Sequence, residues 1–179
     1  MRPYDILKGD KIFLRALEPQ DVEVLYEWEN NTENWSLGNT NIPFSKQQLK
    51  EYILSVQDIY SDKQVRFIIC LNDNAEEVGC IDLFDFDPKN MRAAVGILIG
   101  SKEHRGKGFA SDALGILIEY AFHTLILHQL HCTIPDGNKT SEKLFLKHGF
   151  QHTATRKEWI RTADGWKDEL FYQLINQEK

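Results

Sequence analysis

An apolar strand, a turn bracketed by glycines and an apolar helix follow one another without interruption in the middle of this chain, and few folds have room for that succession. Arg92 to Ile99 reads as a strand, closed by Gly100. Ser101-Lys-Glu-His-Arg-Gly-Lys-Gly-Phe-Ala-Ser111 comes next, after which Ala113, Leu114, Leu117, Ile118, Ala121 and Phe122 recur at helical spacing. Successive backbone N–H groups at a helix start point outward beside the positive end of the macrodipole and form an anion site. Gly106 and Gly108 permit close approach of the backbone to a phosphate, and Arg105 and Lys107 add charge suited to it. Two familiar phosphate loops do not fit. Gly108 follows Lys107 where a Walker A loop needs Ser or Thr, and Ser111 stands where a dinucleotide fingerprint needs its third glycine. Taken alone, the turn is equally a helix start whose glycines only relieve strain.

The flanking sequence supplies the rest of a sheet. Lys11 to Leu17 alternates as a first strand, and Glu18-Pro19-Gln20-Asp21 opens a helix carrying Val22, Leu25, Tyr26 and Trp28. Asn30 to Asn41 reads as a loop holding Glu33 and Trp35. Ser45 and Gln48 form a capping-box pattern before Leu49, Tyr52, Ile53 and Val56. Gln64 to Leu71 and Val78 to Phe86 are strands, the second joined to Arg92–Ile99 across Asp87-Pro88-Lys89-Asn90. His128 to Ile134 is a strand, Thr140 to Lys147 a short helix, and Gln151 to Ile160 and Glu169 to Ile175 are closing strands around Asp164-Gly165. This order predicts an α/β (α+β) fold with a mixed, mostly antiparallel central sheet and helices on both faces.

With 179 residues the chain holds a full core, and residues 1–179 are expected to form a single domain. A formal net charge of −6 argues against nonspecific nucleic-acid binding, which needs a basic surface. No apolar stretch reaches membrane-spanning length, and Met1 to Asp10 has no signal-peptide core. Cys70, Cys80 and Cys132 are odd in number and unevenly spaced, which fits a reducing cytoplasm better than a disulfide framework. A cytoplasmic protein with neither nucleic-acid nor membrane partners is expected.

Arg105-Gly106-Lys107-Gly108-Phe109-Ala110 resembles the R/Q-x-x-G-x-G/A signature of the GCN5-related N-acetyltransferase (GNAT) superfamily, whose turn binds the pyrophosphate of coenzyme A. Asn138-Lys-Thr-Ser-Glu-Lys-Leu-Phe-Leu-Lys-His-Gly-Phe150 is similar to that family's N-x-x-S-x-x-x-[Y/F]-x-x-x-GF, and the order of elements follows the family from end to end. The likeness is greatest to bacterial spermidine/diamine acetyltransferases and ribosomal-protein N-terminal acetyltransferases. It implies the acyl-CoA N-acyltransferase fold, acetyl-CoA as co-substrate, no metal, and transfer to an amine. It also implies that Ile97, Leu98 and Ile99 present backbone groups to the pantetheine arm and that Arg105 to Ala110 cradle the pyrophosphate. Asn138 would contact the arm or help splay the strands; its other reading is a turn residue of Pro135-Asp136-Gly137-Asn138. Lys102, Lys139 and Lys143 read as solvated charges rather than as partners of the nucleotide's 3′-phosphate.

Two family positions depart from the pattern. Phe145 stands where many members carry a tyrosine acid, and Ala94 where the usual glutamate of the fourth strand sits. Ser141 matches the serine that protonates the thiolate in the N-terminal acetyltransferase branch, and equally reads as a first-turn helix residue. For the base or amine anchor, strand parity puts Asp82 with Phe84 and Phe86, but Asp85 with the apolar Ile81 and Leu83. An acid on an apolar face singles out Asp85; Asp87 before Pro88 reads as a turn residue. His128 and His131, three apart on a strand, point to opposite faces and cannot pair on a metal. Tyr26, Tyr52 and Tyr120 fall at core spacing. No cysteine has a helper suited to a covalent intermediate. The expected reaction is direct attack of a primary amine on acetyl-CoA. The acceptor is a small polyamine or diamine, or else a protein N-terminus such as that of a ribosomal protein. Asn39-Thr40-Asn41-Ile42-Pro43 lacks the adjacent acids of the diamine enzymes. A non-catalytic acyl-CoA-binding module is the remaining alternative, favoured by Ala94 and Phe145, and homo-oligomerisation is left open.

Overall fold

Antiparallel strands that follow one another in sequence tend to lie side by side, and the first four strands of this protein do so although the helices Val22–Asn30 and Lys46–Ser55 come between the first and the second. In the computed structural model, which describes residues 5–35, 40, 42–55 and 58–177, these are β1 (Ile12–Ala16), β2 (Val65–Leu71), β3 (Glu77–Asp87) and β4 (Arg92–Ile99). Three more strands, β5 (Gln129–Pro135), β6 (Gln151–Thr162) and β7 (Gly165–Ile175), complete a sheet of order β1-β2-β3-β4-β5-β7-β6. Every neighbouring pair is antiparallel except β4 and β5, which run parallel because helix α5 (Phe109–Glu119) crosses between them.

The apolar run of β2 follows from its central place. Phe67 and Ile69 face the layer that packs under α5, where Leu83, Val95, Leu114, Leu117 and Leu130 meet. Ile68 and Cys70 face the other way, into a second core built with Leu25 and Trp28 of α1 (Val22–Asn30) and with Leu49 and Ile53 of α3 (Lys46–Ser55). The sheet therefore carries helices on both faces. Of the described helices, none is long and apolar enough to cross a membrane.

Local chemistry explains the helix starts. Ser45 donates its N–H to Gln48 Oε1 at 2.9 Å while Gln48 N–H returns to Ser45 Oγ at 3.1 Å, the reciprocal box expected before α3. Asp21, only 2% exposed, accepts from Glu18 N at 2.7 Å and from both terminal nitrogens of Arg15 at 2.8 Å. The strands lie within a residue or two of their expected limits, apart from a longer β6–β7 hairpin that turns at Asp164-Gly165. Two short helices were not expected, α2 (Thr32–Trp35) inside the supposed loop and α4 (Ile59–Asp62), capped by Asp58 through Tyr60 N at 2.9 Å. The expectations for Val56, Asn39 and Asn41 fall outside the described residues. His128 precedes β5 rather than belonging to it. Tyr26 is a surface residue at 38% exposure with Lys46 above its ring, because its position on α1 lies beside the apolar stripe rather than within it. Cys70, Cys80 and Cys132 are buried and free.

Candidate active site

The sheet opens along its middle. β4 and β5 pair only over Arg92–Ala94 and Gln129–His131, although both strands run on well beyond. From Gly96 to Ile99 one edge of β4 thus lacks a strand partner, and these residues are half-buried where a central strand is normally closed off. The other edge stays paired with β3 as far as Gly79 and Ile99. A Cβ on Gly79 would lie 2.1 Å from Leu98 O, so glycine there lets β3 press against β4.

At the wide end of this seam lies the glycine turn. Gly106 has φ +75° and Gly108, which caps α5, has φ +89°, conformations in which L side chains are strained. Among the described residues the N–H groups of Gly106 through Ser111 meet no acceptor, so they remain free for an anion. A Cβ on Gly106 would touch nothing within 4 Å, which leaves the approach clear. Lys11 Nζ donates to Lys107 O at 2.9 Å and adds a cation beside the turn. Next to it a hollow of about 480 Å³ is bordered by Lys8, Lys11, Ser111 and Lys147. Lys147 Nζ donates to Ser111 Oγ at 3.0 Å, and that hydroxyl lies 2.9 Å from His148 Nε2. Burial, aided by Lys147, holds His148 below the ordinary imidazole value.

The Arg105 guanidinium, expected to add charge for a phosphate, has partners within the protein. Its guanidinium donates to Asn34 Oδ1 at 2.6 Å and to Ile99 O at 3.3 Å, bracing the turn against β4 and α2. Asn34, 6% exposed, donates in turn to Trp28 O at 2.9 Å and Gly100 O at 3.3 Å. A Cβ at Gly100 would fall 2.2 Å from Trp28 Nε1. Lys102 pairs with Glu33, and Lys139 pairs with Glu142 at 2.9 Å.

On the face away from α5, a hollow of about 270 Å³ spans the seam from Gly96 to Thr133. Asp82 accepts from Arg66 Nε at 2.7 Å and Nη2 at 2.9 Å, and Arg66 Nη1 donates to Glu29 at 2.9 Å. Trp35 and Phe84 line the same hollow, Trp35 being fixed by its Nε1–H on Glu29 O at 2.7 Å. Two carboxylates around one guanidinium leave this pocket net negative. Cys80, also in its wall, has its thiol pushed up to about 12 by burial, against the pull of Arg66, and is no nucleophile at neutral pH.

α6 (Lys139–Lys147) begins beside the seam. Asn138 caps it, accepting from Ser141 N at 3.2 Å, so its carboxamide serves the helix. The half-buried Ser141 hydroxyl has no partner among the described residues. Phe145 is core, packed edge-on against Phe150 at 5.0 Å.

The parity reading of Asp85 is overturned. The β3–β4 register shifts between Phe84 and Asp87, and Asp85 takes φ +50° in the resulting bulge. Phe86 consequently joins Ile81 and Leu83 in the core, while Asp85 is exposed and faces the pocket side of the sheet. It borders a second hollow, about 370 Å³, with Asp87, Arg92, His131 and Phe171. The Arg66–Asp82–Glu29 cluster and the Asn34 brace escaped the sequence reading, although alternation had already put Asp82 opposite the Leu83 face. Among the described residues no group of three His, Cys, Asp or Glu side chains is placed to hold a metal.

Residues 11–151 match the family model described as an acetyltransferase (GNAT) domain. A curated relative from Bacillus licheniformis, the uncharacterized N-acetyltransferase p20, is 28% identical over 97% of this chain and 98% of its own. The fold is shared with the spermidine N-acetyltransferase of Vibrio cholerae, solved in complex with CoA and spermine, at TM-score 0.83, 24% identity and 92% and 95% coverage of the two chains. It is shared also with the ribosomal-protein-S5-alanine acetyltransferase of Vibrio fischeri, at TM-score 0.83, 17% identity and 96% coverage of each. A half-open seam beside a free-amide turn fits acetyl-CoA, and with the match over most of its length the chain belongs to the GNAT acetyltransferases, acetyl-CoA-dependent N-acetyltransferases.

Proposed function

We propose that the protein acetylates a primary amine of a small cationic molecule, such as a diamine or polyamine, by direct attack on the thioester. The observation that carries this reading is the net-negative pocket of Glu29, Arg66 and Asp82 across the seam, adjoined on the same face by Asp85 and Asp87. The backbone of Ile97, Leu98 and Ile99 would hold the pantetheine arm by hydrogen bonds that the missing strand would otherwise make. The turn Arg105, Gly106, Lys107, Gly108, Phe109 and Ala110 would hold the pyrophosphate, with Arg105 acting as its brace. Asn138 supports the site by capping α6, and the Ser141 hydroxyl would give its proton to the departing thiolate. Asp85 would draw the cationic end of the acceptor toward the seam. Residues 1–179 would work as one N-acetyltransferase domain.

A protein N-terminus is the second acceptor reading, favoured by the exposed second hollow and by the free Ser141 hydroxyl. Thiol release from acetyl-CoA across a panel of diamines, polyamines and N-terminal peptides separates the two. Turnover of polyamines but not peptides is expected, and the reverse would overturn the small-cation reading. Asp82→Asn keeps the shape of the Arg66 pair but removes a charge. It should raise the polyamine KM about tenfold, equivalent to about 1.4 kcal/mol, with CoA affinity unchanged by calorimetry.

A further inference from the structure

Ala94 gives the β4 side of the seam no proton acceptor, yet its partner across the last β4–β5 pair is His131. Residues paired across neighbouring strands lie about 5 Å apart and project to the same face, so an imidazole stands beside the place that a longer side chain at 94 would fill. This is where the seam closes. From Ile99, at the turn end, to Ala94 is about 17 Å of strand at about 3.3 Å per residue, a span suited to an extended arm anchored by its phosphates at the turn. An acyl group on such an arm would come to rest near the His131 ring.

The surroundings of His131 are built for a base. Its ring stacks on Phe171 at 5.3 Å and 26°, which fixes the plane while the edge stays open to the second hollow. The bulge that turns Asp85 away from the core brings its carboxylate to that hollow. We propose that His131 is the general base of the acetyl transfer, with the Asp85 carboxylate, which borders the same hollow, favouring the imidazolium that forms as the ring takes the proton; this rests on the amine-acetylation reading above.

The balance is simple. The reacting ammonium first gives one proton to water; the lone pair so freed forms the N–C bond, and the C–S bond breaks with its electron pair leaving on sulfur. The nitrogen becomes acidic as it bonds to the acyl carbon, and its proton passes to the imidazole, which releases it to water. The thiolate takes the Ser141 proton, which water replaces. For this the ring must be neutral at rest. Burial lowers its pKa, Asp85 opposes that, and Arg92 and Arg156 lower it further. Of the other groups facing it, Asp87 is paired with Arg92 at 3.1 Å, and Phe171 does not titrate.

The test compares His131→Gln and Asp85→Asn by kcat/KM against pH with a diamine acceptor, and follows the wild-type His131 ring by NMR. His131→Gln should lower kcat about 100-fold with little change in KM, and should abolish the acid-side limb of the profile. Asp85→Asn should keep the limb but move it to lower pH, because the charge that raises the imidazole pKa is gone. In the substrate-free wild type, the His131 titration should coincide with the kinetic limb, and added CoA should shift the His131 ring signals while sparing those of His123. The proposal is overturned if His131→Gln keeps rate and limb, or if the limb vanishes in Asp85→Asn and survives in His131→Gln. Should His131→Gln not fold, a wild-type NMR titration lying away from the limb overturns it equally. Should only peptides be acetylated, the small-cation reading fails, and the same profiles measured with a peptide still decide the role of His131.

Discussion

Gly106 and Gly108 have one role in the backbone and one proposed for the phosphates, and only the second was legible in the sequence. A glycine-rich helix start advertised an anion site, but the positive φ at both positions emerges only from the backbone. The two contributions can be separated. Gly106→Ala should cost about 1 kcal/mol of stability from the left-handed conformation and weaken CoA binding about tenfold or more by calorimetry. Gly165→Ala, at φ +125° and equally open, should cost stability alone. Equal CoA affinity in the two variants would remove the phosphate role from Gly106. Asp85 shows where reading by alternation stops. A period of two predicts faces only while the ladder is unbroken, and one extra residue in β3 reverses every side chain after it. The same bulge carries the Asp85 carboxylate from its expected place on the core face to the edge of the second hollow.

Helices α1 and α2 brace the glycine turn at its start. Trp28 comes from α1, Asn34 from α2, and together they clasp Gly100 and Arg105 from behind. Asn34→Ala would strip Arg105 Nη2, Trp28 O and Gly100 O of a shared partner in a buried place, at a cost of about 1–3 kcal/mol. Its expected signature is a lower urea midpoint together with a several-fold loss of CoA affinity, whereas loss of stability alone would make the brace purely architectural. The sequence could not disclose this element. Thr32–Trp35 is a single turn of helix in a polar stretch, too short for periodicity to register, and its importance lies in contacts with residues some seventy positions distant (|i−j| = 71 for Asn34 and Arg105). By contrast, α3 and α5 were legible because a capping box and a long apolar stripe are local signals.

Across the whole molecule, two half-buried histidines tie folding to pH. Burial lowers His131 and His148 below the ordinary imidazole value, so the unfolded chain binds protons that the native one refuses. Stability is full above that ordinary value and declines as pH falls through it. Thermal midpoints recorded from about pH 8 to about pH 5, above the range in which Asp87 and Asp168 titrate, should therefore fall, and His148→Gln should flatten the decline. A midpoint independent of pH in the wild type would contradict the burial of both rings. The architecture as a whole was legible because hairpins, a crossover helix and a family signature lie in order along the chain; what periodicity alone could not reveal is that β4 and β5 part company after Ala94. That parting divides the protein into two ladders, one of β1 to β4 and one of β5, β7 and β6, joined by three residue pairs and a crossover helix. In isotope-exchange terms the sheet has no single slow centre. The amides of Gly96 to Ile99 that face β5 should exchange faster than those inside the two ladders, and a molecule lodged there would serve as a temporary strand, making two protected islands one.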